Sequence, residues 1–223
     1  MIEFKHVFKS YGRGPNILAD INFHIQPGEF VFVSGPSGAG KSTLLRLIGG
    51  LETPTRGAVH VKGNRIDQLP ARAQPYIRRN IGLILQDVHL LNDRRAIQNV
   101  MLPLEVLGIE YKIAVKRARA AMEKVGLAGK EDQYPIEMSG GEQQRLAIAR
   151  AIVNKPAIVI ADEPTANLDA VSAKRIMDVF KDFNRVGVTT LIASHDRALM
   201  AHYARRTLLI EPDRFSDLMG TPL

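Results

Sequence analysis

The stretch that decides the fold runs from Phe30 to Leu51 and reads FVFVSGPSGAGKSTLLRLIGGL. Phe30-Val31-Phe32-Val33 is short and continuously apolar, the pattern of a strand covered on both faces. Lys41 to Leu51 then carries Leu44, Leu45, Leu47 and Ile48 at helical spacing. Between them, Gly35-Pro36-Ser37-Gly38-Ala39-Gly40-Lys41-Ser42, followed by Thr43, satisfies G-x-x-x-x-G-K-S/T. In this setting glycines let successive backbone N–H groups turn inward around phosphate oxygens, and the helix N-terminus adds about half a positive charge. Lys41 is placed to bridge terminal phosphates and Ser42 to put its hydroxyl on Mg²⁺. The alternative is a Gly-rich turn that binds nothing, and the intact Lys41-Ser42 pair with both flanking elements argues against it.

Upstream, Ile2, Phe4 and His6 alternate with polar residues, and Ile17 to Ile25 ends in Gln26-Pro27-Gly28 turn chemistry. These predict an antiparallel β layer. Downstream, residues 87–155 have helical apolar spacing, with loops around Gly108 and around Gly126 to Gln133. Val115, Ala118, Met122 and Val125 form one stripe there, with Gly126 in a C-terminal cap position; packing explains it. Ala157 to Ala161 and Thr189 to Ala193 are buried-strand runs separated by a helix bearing Ile176, Val179, Phe180 and Phe183. Leu208 to Leu223 has little periodicity and predicts a short surface strand and a loose tail.

The run Ala157 to Ala161 ends in Asp162-Glu163. Asp162 can hold a Mg²⁺ water, while Glu163 projects one residue further, where a base for attack on the terminal phosphate is required. Alone, Asp-Glu before Pro164 reads as a loop start; paired with the phosphate loop it reads as the second half of a site. Between the two lies MSGGEQQRLAIARA, Met138 to Ala151. Ser139 with Glu142 has capping-box spacing, which calls for no ligand. A capping box does not need Gly140 and Gly141, whose bareness implies close approach by something. A second helix start suited to an anion therefore suggests a shared nucleotide.

Composition sets the frame around these motifs. The 223 residues are 45% hydrophobic and 24% charged, the balance of a folded globular chain. The absence of cysteine excludes disulfides and thiol chemistry and fits the cytosol. A net charge of +7 favours anionic partners. Its clusters, Arg78-Arg79, Arg94-Arg95, Arg205-Arg206 and Lys116-Arg117-Ala118-Arg119, are dispersed, which reads as solvated surface rather than a nucleic-acid footprint. Met1 to Phe8 lacks the apolar core of a signal peptide, and no apolar run approaches the roughly 18 residues of a membrane span.

The phosphate loop, Ser139-Gly140-Gly141-Glu142-Gln143, Asp162-Glu163, Ala166-Asn167-Leu168-Asp169 and His195 occur in the order of the ABC ATPases, and the chain resembles their nucleotide-binding domain along nearly its whole length. Met138 stands where the family usually has Leu, and Glu142 where many members have Gln. Glu142-Gln143-Gln144-Arg145 looks like the branch that includes lipoprotein-releasing, macrolide-exporting and cell-division ATPases, and MIEFKHVFKSY and FNRVGVTTLIASHD (Phe183 to Asp196) look most like its cell-division members.

The resemblance implies an α/β fold in one domain: a RecA-like core of mainly parallel sheet from 1–86 and 156–223 with the β layer, and an inserted helical subdomain at 87–155. It implies ATP and Mg²⁺ as ligands and head-to-tail dimers. Each ATP then lies between the loop Gly35 to Thr43 of one copy and Ser139, Gly140, Gly141 and Glu142 of the other. Tyr11 matches the aromatic that stacks on adenine, Gln86 the glutamine that senses Mg²⁺ and attacking water, and His195 the histidine on the γ-phosphate. A hairpin tyrosine, a strand-edge glutamine and a structural histidine are the bland readings. Asp169 matches an aspartate that communicates across the dimer, and equally reads as the N-cap of a helix from Ala170 to Phe183. Catalysis would rest on Glu163, His195 and Gln86, and metal binding on Ser42, Gln86 and Asp162. An integral membrane partner would dock near Gln86 to Leu104, apolar at Val88, Leu90, Leu91, Val100, Met101 and Leu102, some of which must instead be core. That places the chain peripherally on the cytoplasmic face of the inner membrane, with no nucleic acid expected, since no heptads are sustained. An exporter or lipoprotein-releasing ATPase, and an ATP-gated recruitment switch with incidental hydrolysis, are the alternative readings.

Overall fold

The computed structural model of the chain describes residues 1–70, 72–203, 206–211 and 214–219. The first sheet is antiparallel and joins β1 (Ile2–Ser10), β2 (Asn16–Ile25), β4 (Arg56–Val61) and β5 (Asn64–Arg65) in the order β2-β1-β4-β5. The second joins β3 (Phe30–Ser34), β6 (Ile81–Ile84), β7 (Ile158–Asp162), β8 (Thr189–Ala193), β9 (Arg206–Glu211) and β10 (Arg214–Met219) in the order β10-β9-β3-β8-β7-β6. All its pairings are parallel except the terminal β9–β10 hairpin. The helices are α1 (Lys41–Ile48), α2 (Gln74–Arg78), α3 (Ala96–Val106), α4 (Tyr111–Lys124), α5 (Gly140–Ile152), α6 (Ala170–Arg185) and α7 (Arg197–Tyr203).

Alternation along the parallel strands sorts the interior into two cores, because successive side chains leave opposite faces of a sheet. Val31, Val33, Ile158, Ile160, Leu191 and Ala193 face α1 and the antiparallel layer. Phe32, Val159, Ala161 and Ile192 face α3 to α6. Every residue of β7 and β8 is buried, which explains why they read as uninterrupted apolar runs. Helix α1 carries Leu44, Leu45, Leu47 and Ile48 inward with Arg46 exposed, and packs between β7 and β4. It ends at Ile48 rather than Leu51, where the N–H groups of Gly49 and Gly50 donate to the carbonyls of Leu45 and Leu47.

Three expectations require correction. His6 does not continue the inward alternation: its φ of 47° accompanies a register shift between Phe4 and Val7, so Val7 is buried and His6 exposed. The C-terminal segment is not a lone surface strand, since β9 inserts beside β3 with Leu208 and Ile210 buried and β10 completes the sheet. The loose tail falls partly on residues 220–223, which lie outside the described residues. Arg206 is not solvated surface; its guanidinium is buried between Glu29 and Asp217 and donates to the His24 carbonyl at 2.8 Å. Arg205 lies outside the described residues. Strands β4 and β5 and helix α2 were not anticipated. The signal for β4 was present, since Val59 and Val61 alternate and are buried.

Helices α3, α4 and α5 pack on one another between β6 and β7 in sequence. The stripe on α4 is a packing face: Ala118, Met122 and Val125 are buried, and Gly126, at φ 76°, lets the chain turn out of the helix. Within α3, Val100 and Met101 are buried, so these two belong to the core and not to a docking surface.

Candidate functional site

The carboxyl ends of β3, β7 and β8 face one cleft of about 580 Å³, the position at which open parallel sheets bind ligands. Its lining includes the loop from Gly35 to Thr43 except Ala39, together with Gln86, Asp162, Glu163 and His195. These groups, scattered over 160 residues of sequence, are brought together by adjacent strand ends. Ile17, from β2, joins them and was not anticipated.

Helix α1 begins without help from its own chain. Gly40 occupies the N-cap with φ 101° and makes no side-chain cap hydrogen bond, and no acidic residue lies in the first turn. Its N–H groups are therefore available to an anion. Lys41 folds back over the loop, where Nζ donates to the carbonyls of Gly35 at 2.8 Å and Pro36 at 3.0 Å. Gly35 is required for two reasons: its φ is 149°, and a Cβ there would lie 2.1 Å from the Ile210 carbonyl oxygen. The end of β9 thus buttresses the phosphate loop.

Asp162 is buried at the end of β7. Glu163 follows with a strained φ of 48°, held because its N–H donates to the Ala193 carbonyl at 3.0 Å and its own carbonyl accepts from Ala166 N–H at 3.2 Å. Its Oε1 lies 2.7 Å from Nδ1 of His195. Tyr11 does not line the cleft. Its hydroxyl donates to the Glu52 carboxylate, at 2.6 and 2.7 Å, and lies 3.3 Å from Thr43 Oγ1, so the ring stands beside the loop. Glu52, itself paired with Lys9 at 3.1 Å, is a positioning group that sequence reading missed.

Ser139, Gly140, Gly141, Glu142 and Asp169 form a second patch outside the cleft. Ser139 Oγ accepts from Glu142 N–H at 3.3 Å, and Glu142 Oε2 accepts from Ser139 N–H at 2.9 Å, completing a capping box. Lys130 pairs with the Glu142 carboxylate and, with the Ser139 N–H, lowers its pKa to about 2. Asp169 caps α6 by accepting from the N–H groups of Val171 and Ser172, each at 3.0 Å. The two glycines separate here. A Cβ on Gly141 would meet Asn167 O and Leu168 Cδ2, each at 3.2 Å, so the chain itself supplies that close approach; a Cβ on Gly140 would meet nothing within 4 Å.

The segment joining the cleft to the helices is fastened by two residues that sequence reading also missed. Asn99, buried on α3, receives Leu91 N–H at 2.8 Å and donates to the Leu91 and Arg94 carbonyls. Arg150, on α5, donates to the carbonyls of Val88 and His89, and burial lowers its pKa. A buried amide and a guanidinium spent on backbone carbonyls leave no periodic trace in sequence.

Among the described residues no three His, Asp or Glu side chains form a metal cluster. Ser42, Gln86 and Asp162 offer one hydroxyl, one amide and one carboxylate around the cleft. That donor set fits Mg²⁺, which keeps several waters and shares its remaining sites with phosphates.

A profile described as "ABC transporter" matches residues 18–166. The chain belongs to that family, and it is an ABC ATPase. It is 50% identical over 220 residues to the "Cell division ATP-binding protein FtsE" of Escherichia coli, covering 99% of both chains. It is 44% identical to the protein of the same name from Mycobacterium tuberculosis, covering 93% of this chain and 91% of that one. Its fold matches the "Dimeric structure of a post-hydrolysis state of the ATP-binding cassette MJ0796 bound to ADP and Pi" with a TM-score of 0.92 at 35% identity, over 99% of this chain and 100% of that one. Among the described residues of this ABC ATPase, no helix is long and apolar enough to cross a membrane.

Proposed function

We propose that two copies of the chain close head to tail on two ATP molecules, hydrolyse them, and pass the closure and release to an integral membrane partner. One observation carries this reading: the uncapped start of α1, Lys41, Glu163 and His195 share a cleft, while the Ser139–Gly140 helix start lies outside it with open space at Gly140. A phosphate held in the first reaches the second only if the second comes from another copy.

In the closed pair, the N–H groups of the Gly35 to Thr43 loop and Lys41 hold the phosphates from one side. From the other, Ser139 turns its hydroxyl proton from the Glu142 carboxylate to a phosphate oxygen. Lys41 exchanges its two loop carbonyls for phosphate oxygens, a replacement of neutral by charge-assisted bonds. Ser42, Gln86 and Asp162 would hold Mg²⁺, which would supply positive charge to the phosphates. Glu163 accepts the proton of the attacking water, Gln86 orients that water, and His195 steadies both Glu163 and the terminal phosphate. Tyr11, fixed by Glu52, offers its face to the purine. Losing the bridging phosphate removes the contacts that hold the dimer closed, so nucleotide state becomes separation of subunits.

The partner's docking groove is a cavity of about 440 Å³ floored by Ile81, Leu83, Leu102 and Pro103 and edged by Arg78, Arg79 and Arg150. It adjoins the expected Gln86 to Leu104 segment, and Arg150 links it to the cleft through the Val88 and His89 carbonyls. The likeness to cell-division ATP-binding proteins supports a role in bacterial division, with an FtsX-like membrane protein as partner, the division machinery around it and regulation of cell-wall hydrolases as output. The chain would then sit on the cytoplasmic face of the inner membrane. Recovery from membranes of Glu163→Gln with ATP tests the whole reading: an ATP-dependent dimer carrying a substrate-free membrane subunit is expected. A monomer under saturating ATP, or a partner enclosing a transport cavity, overturns it.

A further inference from the structure

A recess of about 720 Å³ opens between α4, the end of α5 and the end of α6, away from both phosphate patches. Its floor is apolar, formed by Ile113, Ala121, Ile152, Val153 and Phe183. Its rim carries Lys112, Lys116, Arg117, Lys124 and Lys155, and no carboxylate lines it. Lys112 and Lys116 are four residues apart on one ridge of α4, where like charges repel, and Lys124 extends the same ridge. None of the five cations forms an ion pair with a described residue. A face serving only as solvated surface gains by interleaving carboxylates; this one concentrates unpaired cations around an apolar floor in which Ile113 is exposed and Phe183 half-buried, above the buried Ala121, Ile152 and Val153.

We propose that this recess receives an acidic polypeptide segment, which seats apolar side chains on the Ile113–Phe183 floor and sets carboxylates against the rim. The charge fixes the sign of the occupant and the concavity fixes its class. A bilayer presents its headgroups as a plane and cannot reach apolar atoms lying below a ring of cations, whereas a protruding amphipathic helix or loop does. This inference goes beyond the nucleotide reading and does not depend on it.

The test is a titration of the full chain, followed by fluorescence anisotropy, with a labelled helical peptide bearing leucines on one face and glutamates on the other. The same peptide with lysines in place of glutamates is the control. The acidic peptide should bind and the basic one should not. Lys116→Glu with Arg117→Glu should weaken binding at least about tenfold, and Ile113→Ser should weaken it while ATP affinity stays unchanged. Equal binding of both peptides, or no effect of the charge reversals in protein that still binds ATP, overturns the proposal. Phosphatidylglycerol vesicles or dodecanoate binding in a Lys116- and Arg117-dependent way, with the peptide ignored, would overturn it in favour of a lipid.

Discussion

Nδ1 of His195 stands 2.7 Å from Oε1 of Glu163, across the ends of the neighbouring parallel strands β8 and β7. The contact holds a strained glutamate at the mouth of the phosphate cleft and leaves the second ring nitrogen of His195 for a phosphate. Glu163→Gln keeps a hydrogen-bonding partner for His195 and removes the base. Turnover should fall roughly a hundredfold to ten-thousandfold while ATP-driven dimers accumulate, as read by phosphate release and gel filtration. Normal turnover would remove Glu163 from catalysis.

Lys41→Ala should lower ATP affinity by at least about tenfold, since charge-assisted phosphate bonds are lost. Stability should fall by only about 1 kcal/mol, because the bonds to Gly35 and Pro36 it also forfeits are ordinary ones. Calorimetric titration and thermal melting separate the two effects.

Adjacent glycines should respond differently. Gly140→Ala places a methyl in open space, so the monomer should fold and bind ATP as before while dimerisation weakens. Gly141→Ala forces a methyl against Asn167 O and Leu168 Cδ2 at 3.2 Å and should cost about 1 kcal/mol of monomer stability. Melting curves and sedimentation under ATP decide the matter; equal behaviour would contradict the placement of Gly140 at an interface. Ser139→Arg should likewise block pairing and spare ATP binding.

Glu142 titrates at about 2 in the folded chain against its ordinary value of 4.5, because Lys130 pairs with it and Ser139 N–H donates to it. A depressed carboxyl stabilises fully above its unfolded pKa and less as pH falls towards the folded one. The native chain should therefore lose stability between about pH 4.5 and 2 from this group, and Glu142→Gln should flatten that part of the profile. Urea unfolding at stepped pH measures it. The substitution should cost on the order of 1–3 kcal/mol at neutral pH, since the amide still caps but, like the protonated acid, loses the charge pairing with Lys130.

Arg206→Met strips the shared cation from Glu29 and Asp217 and should destabilise the chain by about 2–4 kcal/mol. As β9 ends against Gly35, the variant should also raise the KM for ATP. Unfolding by urea and steady-state kinetics test both; an unchanged KM would uncouple the hairpin from the phosphate loop.

Much of this was legible because its causes are local. The phosphate loop announces itself through glycines whose backbone must turn inward, and β7 and β8 through uninterrupted apolar runs that only two-sided burial explains. The capping box at Ser139 and Glu142 and the cap at Asp169 follow from spacing alone. Illegible were relations between distant segments. His6 breaks the alternation because β1 bulges against two partners at once. The C-terminal residues show no periodicity because β9 is buried by neighbours contributed from β3, 175 residues earlier.

What the sequence by itself determined is the chemical inventory: a phosphate loop, two carboxylates after a buried strand, and a second helix start rich in glycine. Such signals survive in one dimension because each is a short-range demand on backbone or solvation. Only the tertiary structure decided that Gly141 is bare for its own chain and Gly140 is not, that Glu52 and Arg150 hold the site's parts in register, and that five cations crowd one apolar recess. Those outcomes depend on which surfaces meet after the sheets close, and steric contact between segments far apart in the chain leaves no mark on the order of residues.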